Sequence, residues 1–377
     1  MSLAFCYNDA FAPTSESLMP TLSDPIRLGA IAAPNRILMA PLTRGRATCE
    51  HVPTPIMVTY YAQRASAGLI ITEATGISRE GMGWPYAPGL WTREQVEVWK
   101  PVTAAVHAAG GRIAAQLWHM GRVVHPSVGG AQPVSASDTT APGDARTYDG
   151  MQPHVAARAL RLDEIPRLLN DYRLATRNAM EAGFDGVQVH AANGYLIDQF
   201  LRDSSNFRAD AYGGSVDKRI RLLLEVATAV AGEIGADRTA VRLSPNGMSQ
   251  GVEDSAPNVL FPAAASALSA LGLAFLELRE PREPSPRDRD KTTTDLIRKA
   301  FKGPLVLNAV YNFETGTAAL ASGRADAIAF GRTFLANPDL PQRFARHLPL
   351  AKDDVHTHYT QGAEGYTDYP VARESDL

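Results

Sequence analysis

From Arg36 onward the chain repeats one unit: a short apolar run, a polar loop, then a longer helical pattern. The runs are RILMA from Arg36, LIITE from Leu69, RIAAQLW from Arg112, GVQVH from Gly186, AVRLS from Ala240, AFLEL from Ala274, PLVLN from Pro304 and AIAFG from Ala327. Strands buried on both faces read as nearly continuous apolar runs, and these fit. Between them lie helical segments. REQVEVWKPVTAAVHAAGG from Arg93 ends in glycines suited to a helix C-terminus, and DEIPRLLNDYRLATRNAMEAG spans Asp163 to Gly183. Alternating strands and helices specify parallel βαβ units. Eight of them close into a barrel, whereas a doubly wound sheet more often stops near about six strands. The expected class is α/β, a (β/α)8 TIM barrel.

One domain over residues 21–377 follows, with residues 1–20 as a loose N-terminal arm. His119 to Leu160, rich in Pro, Gly, Ser and Asp, reads as a capping insertion (119–160) after strand three. Arg279 to Lys291, REPREPSPRDRDK, has the composition of a mobile surface loop. Net charge is -3, which argues against nucleic acid or an acidic membrane as partner. The two cysteines, Cys6 and Cys49, exclude a disulfide framework and cysteine-based metal centres, and they fit a reducing compartment. The start lacks a basic signal-peptide region and carries Asp9, and Ala263 to Leu278 is too short and interrupted to span a bilayer. A cytoplasmic protein is expected, with room for a homo-oligomer.

Ligands of such a barrel bind at the C-terminal ends of its strands. That rule selects Pro41 and Thr43, Glu73 and Ala74, and Gln116, Trp118 and His119 from the first three strands. His190, Asn193, Tyr195, Arg242, Asn308 to Tyr311, Gly331 and Arg332 follow. Hydrogen-bonding and cationic groups outnumber carboxylates, with no metal-ligand cluster and no Ser–His–Asp order. Such a rim suits a large anionic cofactor better than hydrolysis. Phosphate sites in these barrels often use the loops after strands seven and eight, here NAVYNFETG and FGRTFLANPDL. Gly331 and Arg332 precede a helical segment, so backbone amides and a guanidinium can face one phosphate. Arg242 stands out on physics alone: a cation inside the apolar run AVRLS needs a partner.

HAANGYLIDQFLRDSSNFRADAYGGSVDKRIRLLLEV, from His190 to Val226, resembles the signature region of the old yellow enzyme family. MAPLTRGRA, QLWHMGR from Gln116, FGRTFLANPDL and GAEGYTDYP extend the resemblance from about Ser23 to Pro370. It implies FMN held non-covalently at the barrel mouth, reduced by NADPH or NADH, and reduction of activated C=C bonds in α,β-unsaturated carbonyl or nitro compounds. Hydride then comes from flavin N5 and a proton from Tyr195. A single phosphate site, with no glycine-rich dinucleotide fingerprint, fits FMN rather than FAD.

The resemblance also assigns residues. Pro41, Thr43 and Ala74 are placed against the flavin, with the Thr43 hydroxyl on the carbonyl beside N5. Gln116 pairs with the pyrimidine edge, and Arg242 lies near N1 and O2, where the reduced cofactor's anion is the partner its burial demands. Ala309, Val310 and Tyr311 form the first phosphate loop, Gly331 and Arg332 the second. Many relatives have glycine where this chain has Val310, and the backbone angles open to valine are narrower. His190 and Asn193 bind the substrate's electron-withdrawing group, Tyr195 donates the proton, and Trp118 and Tyr359 shape the substrate pocket. Gln361 departs from a glycine-rich stretch and is a candidate to change the pocket's shape.

Each residue also has a plainer reading: Thr43 as a loop threonine, Trp118 as core, His190 as a strand-end structural histidine. Spacing favours function for His190, Asn193 and Tyr195 taken together. Two rival functions remain. A phosphosugar aldolase or isomerase needs a Schiff-base lysine or paired carboxylates at the strand ends, and neither is found. The presence of Tyr195 argues against a flavin-holding protein without turnover but does not dismiss it.

Overall fold

The computed structural model describes residues 19–281 and 290–372. The proposed arm up to Leu18 and most of the charged loop after Arg279 lie outside them. Eight parallel strands close a barrel. They are β1 (Ile37–Met39), β2 (Ile70–Gly76), β3 (Ile113–Trp118), β4 (Gly186–His190), β5 (Thr239–Leu243), β6 (Phe275–Arg279), β7 (Leu305–Asn308) and β8 (Ala327–Phe330). Each pairs with its successor, and Phe330 of β8 closes the ring opposite Met39 of β1. All eight coincide with the expected runs to within a few residues.

Helices wrap the outside. Arg93–Ala108 begins at Thr92, whose hydroxyl accepts from the Gln95 amide while Gln95 Oε1 accepts from the Thr92 amide. This reciprocal cap satisfies two otherwise orphaned donors. Its buried residues Val96, Trp99, Val102 and Val106 recur at helical spacing and pack on the strands. Ile165–Glu181 follows the same plan with Leu168, Tyr172, Ala175 and Ala179.

Inside the barrel the side chains climb in layers. The floor is apolar: Ala114, Ala240, Phe275, Val306 and Ala327 point inward with Leu38 and Ile71. An antiparallel hairpin, Ile26–Leu28 with Ile31–Ala33, plugs this end with Leu28, Ile31 and Ala33. Gly29 at its turn has φ 60°, and a Cβ there would strike the Asp237 carbonyl. The sequence before Arg36 gives no strand signal, so the plug is an addition. Because side chains alternate along a strand, the next inward layer lies two residues on. It holds Gln116, Gln188, Arg242, Glu277 and Asn308, all buried. The floor is hydrocarbon and the layer above it is polar.

Between Trp118 and Ile165 the chain leaves the barrel. It forms a parallel pair, Val134–Ser135 with Arg158–Ala159, and a hairpin, Asp144–Thr147 with Gly150–Pro153. Arg146 of that hairpin reaches over the rings of Trp84 and Tyr359. Among the described residues no helix is long and apolar enough to cross a membrane.

Candidate active site at the C-terminal end of the barrel

A cavity of about 470 Å³ opens at the C-terminal ends of the strands. Pro41, Thr43, Asn193, Tyr195, Arg242, Ala309, Val310, Tyr311, Gly331, Arg332 and Tyr359 line it, all expected from the sequence. Ala74, Gln116, Trp118 and His190, also expected, are buried, and the Trp118 and His190 rings each lie 5.0 Å from the ring of Tyr195, which lines the cavity. A bulge between Ile71 and Ala74 on β2 brings Ala74 opposite Gln116.

Its base is one polar chain of side chains from five strands that ends on a backbone carbonyl of a sixth. Gln116 Nε2 donates to Gln188 Oε1 at 2.7 Å, and Gln188 Nε2 donates to Glu277 Oε2 at 2.7 Å. Glu277 Oε1 lies 2.9 Å from Arg242 Nε, as an ion pair whose atoms are not aligned for a hydrogen bond. Arg242 Nη2 donates to Asn308 Oδ1, and Asn308 Nδ2 to the Ala329 carbonyl, both at 2.7 Å. This corrects the expectation for Arg242: the anion its burial requires is Glu277, within the protein. Gln188 and Glu277 escaped sequence reading, although each is a lone polar residue in an apolar run, the same signal that marked Arg242.

His190, Asn193 and Tyr195 form one wall. The His190 ring accepts from the Ala192 amide at Nδ1, 3.3 Å away, so its proton sits on Nε2. Burial, then the charges of Arg242 and Arg279, hold His190 well below the ordinary histidine range, which keeps it neutral at physiological pH. Asn193 has φ 60°, a left-handed conformation that asparagine tolerates better than most residues. Its amide donates to Ser244 Oγ at 2.8 Å, and its Oδ1 accepts from Arg279 Nη1 at 3.1 Å. The Tyr195 ring stands edge-on to Trp118 and to His190, 5.0 Å from each. Desolvation pushes its phenol above the ordinary tyrosine value, so it stays protonated. Beneath the loop, Asp198 accepts from the Gly194 amide and pairs with Arg202 at 2.7 Å, both side chains fully buried.

The opposite side carries the two loops expected to hold phosphate. Val310 points its side chain to solvent and is not among the positive-φ residues, so valine meets no backbone conflict there. The Tyr311 hydroxyl turns away to Glu280 and Arg324. Arg332, about half exposed, faces Asp353 at 3.7 Å.

The chain's last described stretch completes the mouth. Arg44 and Arg46 both donate to the His358 carbonyl, and they also bind the carbonyls of Gly365 and Glu364 respectively. Tyr366 stacks on Tyr60 at 4.0 Å. These contacts set His358 and Tyr359 on the rim, where Tyr359 meets Trp84. Gln361 spans from this stretch to the Gly45 carbonyl. Trp84, His358 and Arg279 are lining residues that sequence reading did not assign.

The arrangement fits a flavin. The Trp118 indole N–H is buried without a partner among the described residues, and the Thr43 hydroxyl and Arg242 Nη1, on residues lining the cavity, make no hydrogen bond there either. Thr43 is half-buried and Arg242 buried, and donors left open on a cavity wall suit an acceptor-rich ring. No group of residues able to hold a metal ion occurs among the described residues.

Comparison with known proteins agrees. The NADH:flavin oxidoreductase / NADH oxidase family model matches residues 21–351. The old yellow enzyme homologue of Zymomonas mobilis is 62% identical, with a TM-score of 0.92, over 94% of this chain and all of its own. Morphinone reductase in complex with tetrahydroNAD is 45% identical, TM-score 0.90, covering 94% of this chain and 99% of its own. Among curated relatives, 12-oxophytodienoate reductase 2 of Arabidopsis thaliana is 43% identical over 360 residues, 93% of this chain and 95% of the relative. The chain belongs to the NADH:flavin oxidoreductase family, alongside old yellow enzyme, and is an NAD(P)H-dependent flavin oxidoreductase.

Proposed function

We propose that the protein is an ene-reductase that holds FMN tightly but non-covalently and uses NADPH or NADH to reduce electron-poor alkenes. The observation that carries this is the grouping of three donors: the Asn193 amide and the Tyr195 hydroxyl on the cavity wall, and His190, whose ring stands 5.0 Å from that of Tyr195 and whose Nε2 carries the proton. Residues Pro41, Thr43, Ala74, Gln116 and Arg242 would hold the flavin ring, and the loops at Ala309 to Tyr311 and Gly331–Arg332 its single phosphate.

When bound, reduced FMN supplies the hydride. The protein's share is orientation, charge and a proton. His190 and Asn193 grip the carbonyl or nitro oxygen of the acceptor, drawing electron density from the β-carbon. As negative charge builds on that oxygen, the two donors stabilise it. Tyr195 delivers its hydroxyl proton to the α-carbon; a positioned general acid is worth roughly 10²–10⁴ in rate. No lysine lines the cavity among the described residues, which disfavours a Schiff-base aldolase.

The named substrates of the relatives differ, so the proposal extends to the class of activated alkenes and not to one compound. Anaerobic titration of the purified yellow protein with NADPH or NADH, then cyclohexenone, tests it. Bleaching by the nicotinamide and recovery of colour with the enone are expected. A protein that neither contains nor takes up FMN would end the reading.

A further inference from the structure

The polar layer under the cavity contains two residues for which substrate contact gives no reason: Gln188 and Glu277. Both are fully buried. An apolar pair at these positions would continue the hydrocarbon floor at lower desolvation cost. What they do follows from the chemistry of their ends.

A carboxylate in an ion pair only accepts hydrogen bonds. Glu277, held to Arg242 at 2.9 Å, must therefore meet the nitrogen end of Gln188, and it does, at 2.7 Å. That contact turns the oxygen of Gln188 toward Gln116. Gln116 must in turn present its nitrogen, and it does, at 2.7 Å. The orientation of two successive amides is thus dictated by one charge, without reference to which amide atom is nitrogen in the coordinates. The oxygen of Gln116 is left facing away from Gln188. Resting on the flavin reading above, we propose that Glu277 and Gln188 are positioning residues that fix the Gln116 amide in one sense, acceptor end outward, to receive the flavin N3–H. The same carboxylate holds Arg242, so one buried charge aligns both groups that meet the pyrimidine edge.

Loss of the relay frees Gln116 to turn over. Gln188→Met removes it while keeping the Glu277–Arg242 pair. Glu277→Gln replaces the acceptor by an amide that matches either sense of Gln188. Apoprotein of the parent and each variant is titrated with FMN and with FMN methylated at N3, following quenching of flavin fluorescence. The parent should prefer FMN strongly. Each variant should lose roughly tenfold of that preference, the upper end for one hydrogen bond. The double variant should lose no more than Gln188→Met alone, because both act through one amide.

A merely structural role lowers apoprotein stability and weakens both ligands alike, leaving the ratio untouched. Parental discrimination in folded variants would overturn the proposal while leaving the flavin reading intact. Failure of the parent apoprotein to bind FMN would overturn both. Should Glu277→Gln fail to fold, Gln188→Met decides the matter alone.

Discussion

Arg279 Nη1 lies 3.1 Å from Asn193 Oδ1, so an arginine at the end of β6 determines which end of that amide faces the cavity. With its oxygen committed to a cation, Asn193 has its Nδ2 left to donate. The same guanidinium reaches Ser249 Oγ at 3.3 Å. Arg279→Met should therefore raise KM for an enone by roughly five- to tenfold, about one hydrogen bond, with FMN content unchanged. Steady-state kinetics beside a flavin assay checks this. An unaltered KM would show that Asn193 is oriented by something else.

Tyr195→Phe separates binding from proton transfer. It removes a hydroxyl and little volume, so fold and flavin content should hold. Reduction of the flavin by NAD(P)H needs no proton from this residue and should keep its rate. Reoxidation by cyclohexenone should slow by roughly 10²–10⁴. A quinone takes its protons on oxygen from solvent and should be largely spared. Stopped-flow reoxidation with each acceptor discriminates: equal slowing with both would make Tyr195 a positioning residue instead.

Thr43→Ala removes a hydroxyl donor from the cavity wall. A donor at a flavin carbonyl favours the electron-rich reduced form over the oxidised one. The variant should keep FMN and show a lower midpoint potential in a spectroelectrochemical titration. A parental potential would place Thr43 away from the flavin carbonyl.

Three buried histidines make the fold sensitive to acid. Burial lowers His51 to about 4 and His119 to about 3, and it holds His190 well below its ordinary value. The unfolded chain takes up protons below about pH 6.5, whereas the folded one does not. Stability from these groups is therefore complete above about 6.5 and falls as pH drops toward the folded values. Each group adds a slope of up to about 1.4 kcal/mol per pH unit. His119→Asn, which retains an acceptor for the Gly121 amide now on His119 Nδ1, should flatten the decline between about pH 5.5 and 4. Urea denaturation across that range measures it; an unchanged slope would show that His119 titrates normally.

The barrel was legible because strands buried on both faces cannot hide their composition, whereas Ile26–Leu28 and Ile31–Ala33 are too short to show a period. Within the site, what could be read was whatever ended a strand. His190, Asn193 and Tyr195 announced themselves by position. Gln188 and Glu277 sat one layer lower, inside runs read as apolar, where their only trace was a polar residue two places above a floor residue. Arg279 was lost to a boundary: taken with the charged stretch that follows, it reads as surface, but it ends β6 and meets Asn193. Trp84 and His358 come from connecting segments whose positions depend on long-range packing.

The grip of Arg44 and Arg46 on the chain's final stretch bears on the order in which the protein is made. The barrel's last strand ends at Phe330, but His358 and Tyr359 are translated after it, and the Gly365 and Tyr366 contacts that secure them later still. A nascent chain with all eight strands emerged would possess a closed barrel and an unfinished rim. The rim is finished by residues that follow the last barrel strand, so a chain cut between Phe330 and His358 would leave the cavity open on one side.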